Sequence, residues 1–458
     1  MRQYGRNIGR KIARGIWPMK PGGRSAARRM RGLAALMLAL AVGAASCGIK
    51  PEPADPASED AVIHFLHHWP ESTSRQQHRI VSRIVQDYMR QHPEVTVKVE
   101  VLDNESYKER LKILSASNRL PDVGVTWAAG FLEPYVVGKR FAVLDDLMDG
   151  GLRDKFAPGT TEAYVIGGRL YALPLEFNIV PVFYNKKIFA GHGLDVPDSY
   201  EAFKRTVAAL HEAGVVPVAL GNRERWPGSL WFMYLADRFA GPNAVRDAIN
   251  RTARFNVPAM KTAAREVQEL VDMNAFSRGF NGMSNEDARS SFVNGRAAMY
   301  MMGTWDLPNL VMDPRVPQDF KDNLGYFKFP LADETVSDID SWVGGPGVGL
   351  FVAEDSPVKQ QAKAFVHYFV EKWGEIAVAD AGIIPATKVD TAGADLPQIY
   401  VDILRDLQSA SNLTLYADVA MKPGAAETHL SLIQSLYGKV VTPEEFVNEH
   451  EAALERRE

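Results

Sequence analysis

The 458-residue chain contains a single cysteine, Cys47, so no disulfide can form within it. It also lacks an apolar run of the roughly 20 residues that a membrane-spanning helix needs. The longest, Gly32 to Ala45, has 14. The signatures of several enzyme classes are missing: there is no G-x-S-x-G elbow, no Walker A loop and no H-E-x-x-H helix. Gly345-Pro346-Gly347-Val348-Gly349 has the wrong glycine spacing for a dinucleotide fingerprint, and its proline blocks a helix start. His64, His67 and His68 share one strand but divide between its faces, and no second histidine cluster accompanies them, which argues against a metal site. Acidic residues are absent from the first 46 positions, where ten Lys and Arg lie. The rest of the chain has 42 basic against 56 acidic residues, a net charge of −14. That excess disfavours a phosphate backbone and argues against nucleic acid as a partner.

What is present begins with export. A basic segment, a short apolar core and small residues form a secretory signal over residues 1–46. Ala44-Ala45-Ser46-Cys47 resembles a bacterial lipobox, with Ala44 standing where that motif usually has Leu. The resemblance implies that Cys47 is acylated and becomes the mature N-terminus, so that the membrane is reached through the lipid alone. Residues 47–60, with Pro51, Pro53 and Pro56 among acidic and small residues, read as a lipid-anchored linker.

About 400 residues follow, enough for two domains. Ala61 to Leu66 reads as a strand. From Gln76 to Gln91, apolar residues recur at Ile80, Val81, Ile84, Val85, Tyr88 and Met89, one face of a helix ended by Pro93. Val95, Val97, Val99 and Val101 then alternate with polar residues as a half-covered strand. A helix over 105–117 leads to a strand at Val123 to Trp127. This βαβαβ order predicts a parallel sheet with its ligand beyond the carboxyl ends of the strands. A second α/β unit follows, with a strand from Asn178 to Tyr184 and Ser199 capping a helix ended by Gly214. Further on, Ser284 to Asp287 reads as a capping box opening a helix to Asn294, and Ala297 to Met302 as a buried strand.

Several of these segments together resemble the extracellular sugar-binding proteins of bacterial ABC importers, solute-binding protein family 1. The resemblance rests on Trp69 at the end of the opening strand, Leu120-Pro121-Asp122-Val123, and Tyr171-Ala172-Leu173-Pro174 before Tyr184-Asn185-Lys186. It continues through Phe292 to Met299 with Gly303-Thr304-Trp305, and ends at Gly344-Gly345-Pro346-Gly347. It implies a two-lobed periplasmic-binding-protein-like α/β fold of type II with a sugar held between the lobes. Lobe 1 would comprise 61–177 plus 346–400, and lobe 2 would comprise 178–345 plus 401–458. The implied partners are a small sugar and the permease subunits of the importer, with the receptor a monomer needing no cofactor.

A pyranose has apolar C–H faces and a rim of hydroxyls, so Trp and Tyr suit the faces, and carboxylates and amides the rim. Candidate ligand residues are therefore the strand-end and turn tryptophans Trp69, Trp226, Trp305 and Trp342, with Glu71, Asn222, Arg223 and Asp306 beside them. Glu176, Asn178, Gly344 and Gly345 are added where the chain crosses between lobes. Trp127, Tyr416 and Asp418 are weaker candidates, and Trp231 and Trp373 fall in helical patterns and read as core. The alternative is a secreted glycosidase using paired carboxylates such as Glu176 and Asp306.

Overall fold

A computed structural model describes residues 61–388 and 396–456. The signal segment, Cys47 and the linker to residue 60 lie outside the described residues. The expected alternation is found: strands Ala61–His67, Val95–Val101 and Val123–Trp127 are separated by helices Arg75–Gln91 and Asn104–Ala116. The opening strand pairs in parallel with both of the others. The apolar stripe read on the first helix is buried at Ile80, Val81, Ile84, Val85 and Tyr88, where it packs on the helix Lys359–Ala381. Val99 is 43% exposed because its strand forms the open edge of the sheet.

That sheet has five strands, in the order Val95–Val101, Ala61–His67, Val123–Trp127, Val348–Val352, Leu173–Pro174. The late strand Val348–Val352 runs antiparallel to both of its neighbours. A second sheet orders Leu324–Phe327, Val182–Asn185, Ala297–Met301 and Val216–Val218. Ala297–Met301 is buried at all five positions, as its unbroken apolar run requires. Ser199 caps the helix Tyr200–Glu212 by accepting from the Ala202 amide. Ser284 caps Asn285–Val293 in the same way, but the capping box is only half formed. The Asp287 carboxylate takes the Ser284 hydroxyl at 2.7 Å instead of a backbone amide, since Asp is one methylene shorter than the usual Glu.

Between the two sheets the chain crosses in a small third sheet, where Ser341–Pro346 pairs with Phe177–Ile179 on one side and Asn412–Thr414 on the other. Gly344 is needed here, because a Cβ at that position would stand 2.4 Å from the Asn178 carbonyl oxygen. Gly345 has φ +143°, which disfavours any side chain.

A buried charge fastens the segment that leads into this crossing. Arg238, on the helix Trp226–Ala240, is 1% exposed. It donates to the Phe329 carbonyl at 2.9 Å, the Ser341 carbonyl at 3.1 Å and the Ser337 hydroxyl at 3.2 Å. Asp237 pairs with its guanidinium and accepts from Ser341 Oγ at 2.6 Å. The C-terminal helices dock on the same helix through a directed chain. His450 Nδ1 faces the Phe446 carbonyl at 2.7 Å and so must carry the proton. His429 Nδ1 then donates to His450 Nε2 at 2.8 Å, and the Ser229 hydroxyl to His429 Nε2 at 2.6 Å. Burial holds both rings neutral.

Candidate ligand cleft

The strand ends named by the βαβαβ reading do open onto a cavity, one of about 1350 Å³ lined from both sheets. The five-stranded side contributes His68, Trp69, Trp127 and the helix Asn104–Ala116. The four-stranded side contributes Arg223, Trp226, Arg289 and Trp305, and the crossing contributes Glu176, Asn178 and Gly347. Pockets for small ligands typically measure roughly 300 to 1,000 Å³, so the space exceeds that of one compact ligand.

Three rings form an aromatic corner. Trp226 and Trp305 lie 6.1 Å apart at 67°, and Tyr416 meets Trp305 edge-on at 5.4 Å. Trp305 takes its place through its neighbours. Its ring lies against Gly303 so closely that a Cβ there would come within 2.0 Å of it. Its carbonyl accepts from Gln77 Nε2 at 3.1 Å, and Thr304 donates to Asn178 Oδ1 at 2.8 Å. A second aromatic group lies at Trp127, 5.2 Å from His68 and 5.0 Å from Phe131, with the Lys108 ammonium 5.1 Å over the indole.

The polar lining differs from expectation in one respect. Asp306 stands beside Trp305, but its oxygens are occupied: Arg289 donates at 2.6 Å, Asn309 at 2.7 Å and Tyr300 at 2.8 Å. It holds Arg289, which also reaches the Thr73 carbonyl at 3.2 Å, and is not open to a hydroxyl as its position suggested. Glu176 is 4% exposed. Burial raises its pKa to about 7, opposed by the Asn178 amide at 3.3 Å. Burial likewise raises Asp418.

Trp69, Glu176, Asn178, Arg223, Trp226, Trp305 and Asp306 thus line the cleft, together with Trp127, Tyr416 and Asp418. Five candidates lie elsewhere. Trp342 is wholly buried, with Lys328 6.0 Å from its ring, because its strand is covered on both faces. Glu71 is exposed and pairs with Arg75 at 3.5 Å. Asn222 braces its own loop, accepting from the Gly228 amide at 3.0 Å and donating to Asn281 at 2.7 Å. Gly344 and Gly345 shape the crossing without reaching the cleft. The sequence reading missed Gln77, Lys108, Glu224 and Arg289. Only Gln77 left a signal, a polar residue on the stripe that continues through Ile80, Ile84 and Tyr88.

Two α/β lobes joined by short crossings, with a lined cleft between them, define a solute-binding receptor. The chain belongs to the family described as bacterial extracellular solute-binding protein, which matches residues 74–372. The members are receptors that bind a substrate, not enzymes, so the glycosidase alternative has no support. Over 298 residues it is 25% identical to the "Multiple sugar-binding protein" of Streptococcus mutans, covering 63% of this chain and 67% of that one. It is 19% identical over 397 residues to the "Melibiose/raffinose/stachyose-binding protein MelE" of Bacillus subtilis, covering 82% of this chain and 83% of that one. A structure from work on xylan utilization by Caldanaerobius polysaccharolyticus superposes with a TM-score of 0.80 at 27% identity, covering 85% of this chain and 99% of that one. A chitin oligosaccharide binding protein gives 0.80 at 23% identity over 86% of this chain and 98% of that one.

Proposed function

We propose that this receptor captures a di- or oligosaccharide or an amino sugar outside the cytoplasmic membrane and delivers it to the permease of an ABC importer. The observation that carries the reading is the aromatic corner of Trp226, Trp305 and Tyr416 in a cleft bordered by carboxylates and amides. Edge-to-face rings leave flat surfaces available to the C–H faces of a pyranose. The sugar-binding relatives support the same ligand class. Room for more than one ring favours an oligomer.

Lobe 1 would consist of 61–177 plus 346–400 and lobe 2 of 178–345 plus 401–458. The placement of Val348–Val352 in the first sheet supports this division, as does the packing of helices Pro423–Tyr437 and Pro443–Glu455 on Pro258–Asp272. A calorimetric screen of sugars tests the ligand class. Solution scattering with the sugar that binds should show a smaller radius of gyration than without it, as the lobes close about the crossing. Unchanged profiles at saturation would argue for a rigid pocket.

The receptor would act as a monomer held to the outer face of the membrane by acylated Cys47, with residues 47–60 as its tether. The lone cysteine behind small residues supports this. Cys47→Ala should release the protein from the membrane fraction or leave it unprocessed in a bacterial host. An unmodified Cys47 in mass spectra of the exported protein would refute the anchor.

A further inference from the structure

The charges of the cleft narrow the ligand further, on the reading that the ligand is a sugar. Among the described residues the lining holds nine carboxylates and five Lys or Arg side chains. Every one of those cations is already matched within the lining. Lys108 pairs with Glu105 at 3.0 Å and Lys112 with Glu109 at 2.8 Å along one helix. Arg223 pairs with Glu224 at 2.8 Å, Arg225 with Glu427 at 2.5 Å and Arg289 with Asp306 at 2.6 Å. His68 adds no charge, since burial lowers its pKa to about 3.

Four carboxylates remain outside ion-pair contact with any base, Asp103, Glu176, Glu286 and Asp418, with the Lys108 charge acting on Asp418 and that of Arg289 on Glu286 from further away. Three of them lie at helix starts. Asp103 accepts the Ser106 amide at 3.0 Å, and Glu286 lies in the first turn of Asn285–Val293. Asp418 lies in the first turn of the short helix Ala417–Ala420, Glu176 has no such role, and both bear on the Tyr416 hydroxyl, whose ionisation is opposed first by burial and then by their charges.

A separate observation points to a polar ligand at the same place, since buried atoms without a partner on the lining include the Trp226 indole N–H, a donor, and one bare acceptor. Gln77 is 3% exposed, and with its amide nitrogen committed to the Trp305 carbonyl its Oε1 is a bare acceptor on the cleft lining. The Tyr416 Oη, also on the lining and 7% exposed as a residue, has no partner either. A sugar hydroxyl both donates and accepts, whereas an ammonium presents three donors and no acceptor. A buried carboxylate without a counter-charge is costly to the protein, and a cationic ligand removes that cost on binding.

We propose that the cleft selects an amino sugar whose free ammonium group sits against Glu176 and Asp418 beside Trp305. The same charge balance turns away uronates and sugar phosphates.

The test compares three disaccharides of one backbone by calorimetry: the β-1,4-linked dimer of glucosamine, its N,N′-diacetyl form, and cellobiose. The free amine is expected to bind at least tenfold tighter than either neutral form, with the gap narrowing as salt is raised. Glu176→Gln and Asp418→Asn should each weaken the amine dimer at least fivefold more than the diacetyl dimer. Glu176→Gln should leave the melting temperature unchanged or raised, because it removes a carboxyl whose charged form burial disfavours, so a loss of affinity would not reflect unfolding. Equal affinity for the amine and neutral dimers, or an amine preference that survives both substitutions, overturns the proposal. A wider screen in which only neutral sugars bind also overturns it while leaving the sugar-receptor reading intact, and binding of no saccharide at all removes both.

Discussion

Arg238→Met is expected to lower the folding stability by about 3 to 5 kcal/mol, the usual cost of breaking a buried ion pair from one side. The guanidinium meets three carbonyls, a hydroxyl and Asp237 with almost no exposure to water. Met fills much of the volume but returns none of the hydrogen bonds, and it leaves Asp237 buried with an uncompensated charge. Chemical denaturation of the wild type and variant at neutral pH reads the difference directly. Replacing Asp237 by Leu in the Arg238→Met background should recover part of the loss, because the stranded charge goes with it. A shift below about 1 kcal/mol for the single variant would mean that water reaches the pair.

Trp305→Ala should weaken sugar binding at least tenfold, which is about 1.4 kcal/mol, while leaving the fold intact. Stacking on an aromatic face contributes roughly 1 to 3 kcal/mol per ring in comparable systems. The indole is only partly buried and borders the cleft beside Trp226 and Tyr416. Its loss opens the cleft rather than hollowing the core, where alanine would cost about 3 to 5 kcal/mol. Trp305→Phe should keep part of the affinity, since it retains a ring of smaller area. Melting temperature and affinity measured on the same variant decide the matter. A large loss of stability with normal affinity per folded molecule would make Trp305 a packing residue.

The elements that were legible in the sequence are those whose signal is local. The stripe at Ile80, Val81, Ile84, Val85 and Tyr88, the cap at Ser199 and the apolar run Ala297–Met301 each declare themselves within a few residues, and the structure follows them. The cleft tryptophans were legible because Gly303 and the loop from Gly221 to Gly228 mark where strands end. Trp342 was not, although it too follows a turn. Whether an indole faces a cleft or a core depends on which distant strands cover it, and its strand pairs with Asn412–Thr414 from far along the chain. The engagement of Asp306 was hidden for the same reason, because Arg289 reaches it from a separate helix. Residue type and turn chemistry identify candidates, whereas long-range pairing decides which of them are free to meet a ligand.

The position of Val348–Val352 also constrains how the molecule can come into being. It lies in the middle of the five-stranded sheet, between Val123–Trp127 and Leu173–Pro174. Until that strand arrives, Val123–Trp127 is an open edge and Leu173–Pro174 has no partner within its sheet. A chain emerging from its N-terminus must therefore deliver more than 150 further residues, including all of the second sheet, before the first sheet can close. The first lobe cannot complete itself as an independent unit during synthesis, and its closure carries the loop entropy of everything in between. About three-quarters of the chain must therefore be available before the first sheet can close, so its edge stays open to other pairings for most of the time the chain is being made.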